Sequence, residues 1–159
     1  MPVTIVEYGD YQCPACQRAY VEVEKLLTAE GPNARFVFRH FPLMTTHPRA
    51  MAAALAAEAA GRQGKFWQMH AKLFESHEQL DDQHIQQYAA ELALDLDKFA
   101  RDIQSEGIEA HIRQQRLAGA RSGVNGTPTF FINGYRYDGD FTYEALSAAV
   151  QTAINGGPR

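Results

Sequence analysis

The stretch Val3-Thr4-Ile5-Val6-Glu7-Tyr8-Gly9-Asp10-Tyr11-Gln12-Cys13-Pro14-Ala15-Cys16 joins a strand-like run to a helix-like one and holds both cysteines of the chain. Val3 to Tyr8 is rich in β-branched and aromatic residues, as a strand prefers. Beyond Cys16, from Gln17 to Leu27, Ala19 or Tyr20, Val23 and Leu26/Leu27 recur at three- and four-residue spacing, so one stripe can face a sheet. A strand therefore delivers Cys13 to a helix N-terminus. Unpaired backbone N–H groups and the positive end of the macrodipole favour an anion there. The anion a cysteine offers is its thiolate, the form that attacks disulfides. Pro14 suits the first helical position, because its φ is already helical and its missing N–H is not needed. The arrangement is that of a redox site.

Outward from this stretch, Gly31-Pro32-Asn33 stops the helix, and Ala34 to Arg39 reads as a second strand with Phe36 and Phe38 on one face. A helical crossover of this length predicts parallel pairing. From about 46 to 122 the pattern is helical. Thr46 or His47 is expected to cap a helix running to Gly61, with Pro48 in its first turn. Lys65 to Phe74 follows, with Phe66, Trp67 and Phe74 expected in the core. Asp81 or Asp82 and then Asp95 cap two further helices, and a last one carries Ile108, Ile112 and Leu117. The chain then returns to strands: Thr129 to Ile132 and Tyr135 to Tyr137 flank Asn133-Gly134, a strong hairpin signal. Thr142 caps a closing helix. The order βαβ, helices, ββα predicts an α/β layer fold with a mixed sheet, residues 1–159 forming one domain.

Composition narrows the class further. The chain has 159 residues, a formal charge of −4 and no long basic run, which argues against nucleic-acid binding. No apolar stretch reaches the roughly 20 residues that span a bilayer. The chain starts directly on a strand, which fits either a cytosolic protein or a domain separated from an export signal or anchor. An extracytoplasmic site is favoured in the second case. The histidines at 40, 47, 70, 77, 84 and 111 form no zinc-type pair with the cysteines, and a disulfide across so short a loop would stabilise little. No metal is expected. Thr127-Pro128 places a proline just ahead of a strand, where it forfeits a ladder hydrogen bond. Glu7 interrupts an apolar strand and points opposite to Val6 and Tyr8.

Two segments, Val6 to Cys16 and Gly123 to Phe131, together with Gly64-Lys65-Phe66-Trp67-Gln68-Met69-His70, resemble the DsbA-like branch of the thioredoxin superfamily. The resemblance covers nearly the whole chain and implies a thioredoxin-like fold with a helical subdomain inserted at about 46–122. It also implies a thiol–disulfide oxidoreductase. Cys13 would be the nucleophile, Cys16 the resolving thiol, Thr127 and a cis Pro128 the substrate-binding loop, and Glu7 a buried proton relay. The disulfide carries the electrons, so no cofactor is needed. Cysteine-containing protein segments and a redox partner protein would be the partners of a monomer. The central dipeptide is Pro-Ala, without the histidine of the strongly oxidising members. Cys13 is accordingly expected to titrate near about 6, in the upper part of the window of roughly 3.5–7. A glutathione-dependent transferase or isomerase of the kappa-like type and a non-catalytic binding module on the same fold are the alternatives. Relatives of the kappa-like type generally lack the second cysteine, which is present here as Cys16.

Overall fold

Val3–Gly9 forms the central strand β1 of a four-stranded sheet, in a computed structural model that describes residues 1–156. The helix α1 (Pro14–Glu30) ends at Gly31, whose φ of 53° lies in the left-handed region, and a 3₁₀ turn Gly31–Asn33 follows. The chain then enters β2 (Ala34–His40), which pairs parallel to β1 with Glu7 opposite Phe38 and Gly9 opposite His40. Five helices come next: α2 (Ala50–Gly61), α3 (Phe66–Glu75), α4 (Asp82–Glu91), α5 (Leu96–Asp102) and α6 (Glu106–Arg121). The strands β3 (Thr129–Ile132) and β4 (Tyr135–Tyr137) form an antiparallel hairpin, and α7 (Tyr143–Ile154) closes the described chain. The sheet order is β2-β1-β3-β4, with β3 antiparallel to β1. The fold is a mixed α/β thioredoxin-like one.

The caps explain most helix starts. Asp81, Asp95, Ser105 and Thr142 each accept a backbone N–H from the first turn of the helix that follows. In the hairpin, Asn133 and Gly134 both have positive φ, as a type I′ turn demands. The expected cap at Thr46 or His47 does not form. The segment before α2 is made of turns, α2 begins only at Ala50, and the His47 ring turns instead to the Asp10 carboxylate.

Side chains sort into layers. Val3 and Ile5 meet Ala19, Val23 and Leu26 of α1 and Leu146 and Val150 of α7 on one face of the sheet. Tyr8 packs with Phe41 and Val124 on the other face. There α6 comes so close that a Cβ on Gly119 would lie 2.7 Å from the Tyr8 ring. The third cluster surrounds Cys16: Tyr11 and Phe38 pack with the alanine face of α2 and with Met69, Leu73 and Phe74 of α3. One expectation of burial fails, and an apolar residue of the last inserted helix also faces solvent. Trp67 is 49 % exposed, because Phe66 and His70 take the inward positions around it, and Leu117 is 49 % exposed although it lies at helical spacing from Ile112.

Candidate redox site

Cys13 is the N-cap of α1, with extended backbone (φ −71°, ψ 123°). Its carbonyl accepts the first helical hydrogen bond, from Gln17 N–H at 3.1 Å, so the backbone N–H groups of Ala15 and Cys16 are left pointing at its sulfur. No side chain caps the helix, which leaves that place to the sulfur. From the far end of the sequence, the Thr127 carbonyl comes to 3.7 Å from Sγ and accepts its S–H. The Thr127–Pro128 peptide is cis. The Thr127 hydroxyl is buried without a hydrogen-bond partner, and its proximity lowers both thiols.

The two cysteines are free thiols, and their environments drive them apart. The Cys16 thiol donates to Cys13 and, against the opposing effect of partial burial, it lowers Cys13 from about 9 to about 5; Thr127 and the two backbone N–H groups assist. Cys16 is fully buried, and desolvation pushes its thiol well above the ordinary range, with the Cys13 and Glu7 charges adding to the rise. The value of about 5 is lower than the helix terminus alone led us to expect. The extra lowering comes from Cys16 and Thr127, contacts that depend on the folded geometry.

Glu7 is 2 % exposed on the central strand, not on an edge. Burial first, and then the Cys13 charge, raise its carboxyl to about 8, and Oε2 has no hydrogen-bond partner. It points over Gly9, where a Cβ would lie 3.0 Å from Oε2 and 2.5 Å from the Phe38 ring. A side chain at position 9 would displace the carboxyl. His70 and His40 stay apart from this chemistry. The Tyr11 hydroxyl pairs with His70 Nδ1 at 2.8 Å, and burial, aided by the His40 charge, lowers His70 to about 3, so it is neutral. His40 is buried, with Nε2 3.6 Å from the Glu58 carboxylate. Among the described residues no group of three or more His, Cys, Asp or Glu side chains is gathered to hold a metal, and no helix is long and apolar enough to cross a membrane.

The structure thus brings Cys13, Cys16, Thr127, Pro128 and Glu7 to one end of the sheet. Asp10, Gln12 and His47, not among the site residues expected from sequence, cluster behind Cys13. A signal was present for Asp10, since an Asp at the head of a tight turn accepts N–H groups two residues on. None was present for His47, which arrives from beyond β2.

Comparison with known proteins gives this geometry its lineage. The family model described as Thioredoxin matches residues 1–152. A solved thioredoxin-like oxidoreductase from Silicibacter pomeroyi superposes with a TM-score of 0.85 at 35 % identity, covering 96 % of this chain and 87 % of its own. BdbD of Bacillus subtilis shares the fold at a TM-score of 0.84 and 21 % identity, with 98 % and 89 % coverage. The chain is also 46 % identical over 155 residues to a Na(+)/H(+) antiporter NhaA 1 of Salinispora arenicola, covering 98 % of this chain and 24 % of that one. It spans about a quarter of the length of the curated relatives it matches. The chain belongs to the thioredoxin superfamily.

Proposed function

We propose that the chain exchanges disulfides with cysteine-containing segments of other proteins through the pair Cys13–Cys16. The observation that carries this reading is the placement of the two sulfurs: one sits at the mouth of α1 against the Thr127 carbonyl, the other is sealed behind it. In the reducing direction the Cys13 thiolate attacks a substrate disulfide, forming a mixed disulfide and expelling a substrate thiolate. Cys16 then loses its proton and attacks Cys13, which closes the intramolecular disulfide and frees the second substrate thiol. Oxidation of a substrate runs the same steps backwards.

The proton traffic supports Glu7 as relay. While Cys13 is a thiolate, its charge helps hold Glu7 protonated. Once Cys13 is bonded to substrate that charge is gone, the carboxyl becomes more acidic, and its proton can pass to the expelled thiolate. The resulting carboxylate is then the base for Cys16. The Thr127 segment is read as the substrate rest, where an extended peptide adds backbone hydrogen bonds beside Pro128. A redox partner protein would recycle the pair, and the chain would act as a monomer and one domain. A Cys13 value of about 5 lies between those of thioredoxin and DsbA, about 7 and 3.5. The reduction potential is therefore expected between about −270 and −120 mV.

The test is insulin reduction and oxidative refolding by the wild type and by the double variant Cys13→Ser/Cys16→Ser. Full loss in the variant supports exchange. A wild type inactive in both assays would point to the kappa-like or binding-module reading. The antiporter matches support placing this chemistry beside a membrane, and partners trapped in cells on a Cys16→Ser variant would then include membrane proteins.

A further inference from the structure

Asp10 lies between the end of β1 and the start of α1, with its side chain 0 % exposed. A carboxylate so deeply buried needs donors, and the structure supplies three. Oδ1 accepts Gln12 N–H at 2.8 Å; Oδ2 accepts Leu43 N–H at 2.9 Å and lies 2.8 Å from His47 Nδ1. The Asp10 main chain joins in, since its carbonyl accepts Cys13 N–H at 3.1 Å. Every polar atom of Asp10 that accepts here is thus committed either to the turn that carries Cys13 or to the segment following β2. Gln12 doubles the link: its Oε1 accepts Arg49 N–H at 2.7 Å, and the Arg49 side chain reaches on to the Leu80 carbonyl and the Asp82 carboxylate at the start of α4.

We infer that Asp10 and His47 are a positioning pair that sets where the Cys13 sulfur stands, and that Gln12 and Arg49 extend this clamp to the helices between β2 and β3. The inference rests on the exchange reading given above. Cys13 owes its lowered thiol pKa to contacts with the Cys16 thiol, the Thr127 side chain and two backbone N–H groups. All of them weaken steeply over a fraction of an ångström. The sulfur can hold such contacts only if the four-residue turn behind it is fixed, and that turn has one internal brace, the Asp10 carboxylate and carbonyl. His47 fastens the brace from outside. Its ring is the only side-chain donor to Asp10 among the described residues, and its 15 % exposed side chain belongs to none of the apolar core clusters.

The test uses the reduced full chain with two readouts, the thiolate absorbance titration of Cys13 and the rate of exchange with a small aromatic disulfide. Asp10→Asn keeps the shape but presents an amide donor to one of the N–H groups. It should raise the Cys13 midpoint towards the ordinary thiol value and slow exchange about tenfold. His47→Ala should move both readouts the same way by about threefold in rate, whereas His47→Gln, whose amide can still donate to Oδ2, should restore them. If Asp10→Asn fails to fold, the two His47 variants decide. A lower melting temperature with unchanged Cys13 titration and rate would overturn the inference, as would equal losses in His47→Ala and His47→Gln. Failure of the exchange reading is a separate outcome, because wild-type protein would then exchange nothing while its Cys13 titration could still be read.

Discussion

Cys13 and Cys16 are the same residue type one helical turn apart, yet the fold gives them opposite chemistry. Cys13 stands where the helix has donors to spare and a carbonyl from the far end of the chain faces it. Cys16 stands inside the cluster of Tyr11, Phe38, Met69 and Phe74, where a charge has no water to stabilise it. The first is held near about 5 and the second is pushed far above the usual thiol value. The contrast teaches that a C-x-x-C pair is a gradient of environment along one turn of helix, with the acidity of each thiol set by its depth.

The largest expected effect separates the two thiols outright. Cys13→Ser should lose exchange with protein disulfides altogether, while Cys16→Ser should still attack and then stall. Mixed disulfides on a non-reducing gel should therefore accumulate in the Cys16 variant alone. Equal trapping by both variants would erase the proposed division.

Next in size is the titration itself. The wild-type dithiol should show a thiolate midpoint near about 5, leaving about 99 % of Cys13 ionised at neutral pH. In Cys13→Ser the remaining thiol should not ionise below the ordinary cysteine range. Attack rates of the wild type should be level above about pH 6 and fall as pH drops through about 5. A midpoint above about 8 for Cys13 would break the comparison at its base.

Glu7 gives a subtler test, through stability. Its folded value of about 8 lies above that of an unfolded carboxyl, so its contribution is present at low pH and is lost as pH rises towards 8. Cys13 is the reverse case. Its folded value lies below that of an unfolded thiol, so it contributes at high pH and that contribution is lost as pH falls through about 5. Between about 5 and 8 the folded protein carries thiolate and neutral carboxyl where the unfolded chain carries thiol and carboxylate. The proton counts match, and this pair gives the reduced wild type a flat pH profile. Removing the carboxyl with Glu7→Gln should uncover the Cys13 slope. The stability of the reduced variant relative to wild type should grow by up to about 1.4 kcal/mol per pH unit across that window. Denaturant unfolding of both reduced proteins over that range measures it, and parallel profiles would show that Glu7 does not hold a proton there.

The smallest effect belongs to Thr127. Its valine variant keeps the backbone carbonyl against Cys13 and removes only the hydroxyl, which is worth about one neutral hydrogen bond. The Cys13 midpoint should rise by up to about one unit and the reduction potential fall by up to about 30 mV, because the thiolate form of the reduced protein is less favoured. A potential unchanged within error would assign the Thr127 influence to the backbone alone.

What could be read directly from the chain was local. Val3 to Gly9 and the Asn133-Gly134 hairpin have strong short-range patterns, Asp81, Asp95 and Thr142 cap where their types predict, and the cysteines announce a helix mouth. The helix start near Thr46 was misplaced because His47 had a better partner than the backbone, a carboxylate 37 residues earlier. Trp67 was misplaced for a related reason. Helical periodicity says that a face is buried, but the neighbouring rings, here Phe66 and His70, decide which residue of two adjacent ones takes the inward place.

By itself the sequence determined the order of elements, the spacing of the cysteine pair and the approach of Cys13 to a positive helix end, since these depend on residues within one or two turns of each other. Tertiary structure alone decided the depth of Cys16, the raised carboxyl of Glu7 on a central strand and the arrival of Thr127 from 114 residues away. Burial and hydrogen bonding across such separations are properties of packed surfaces, and a thiol or carboxyl changes its acidity only when the dielectric and the donors around it change.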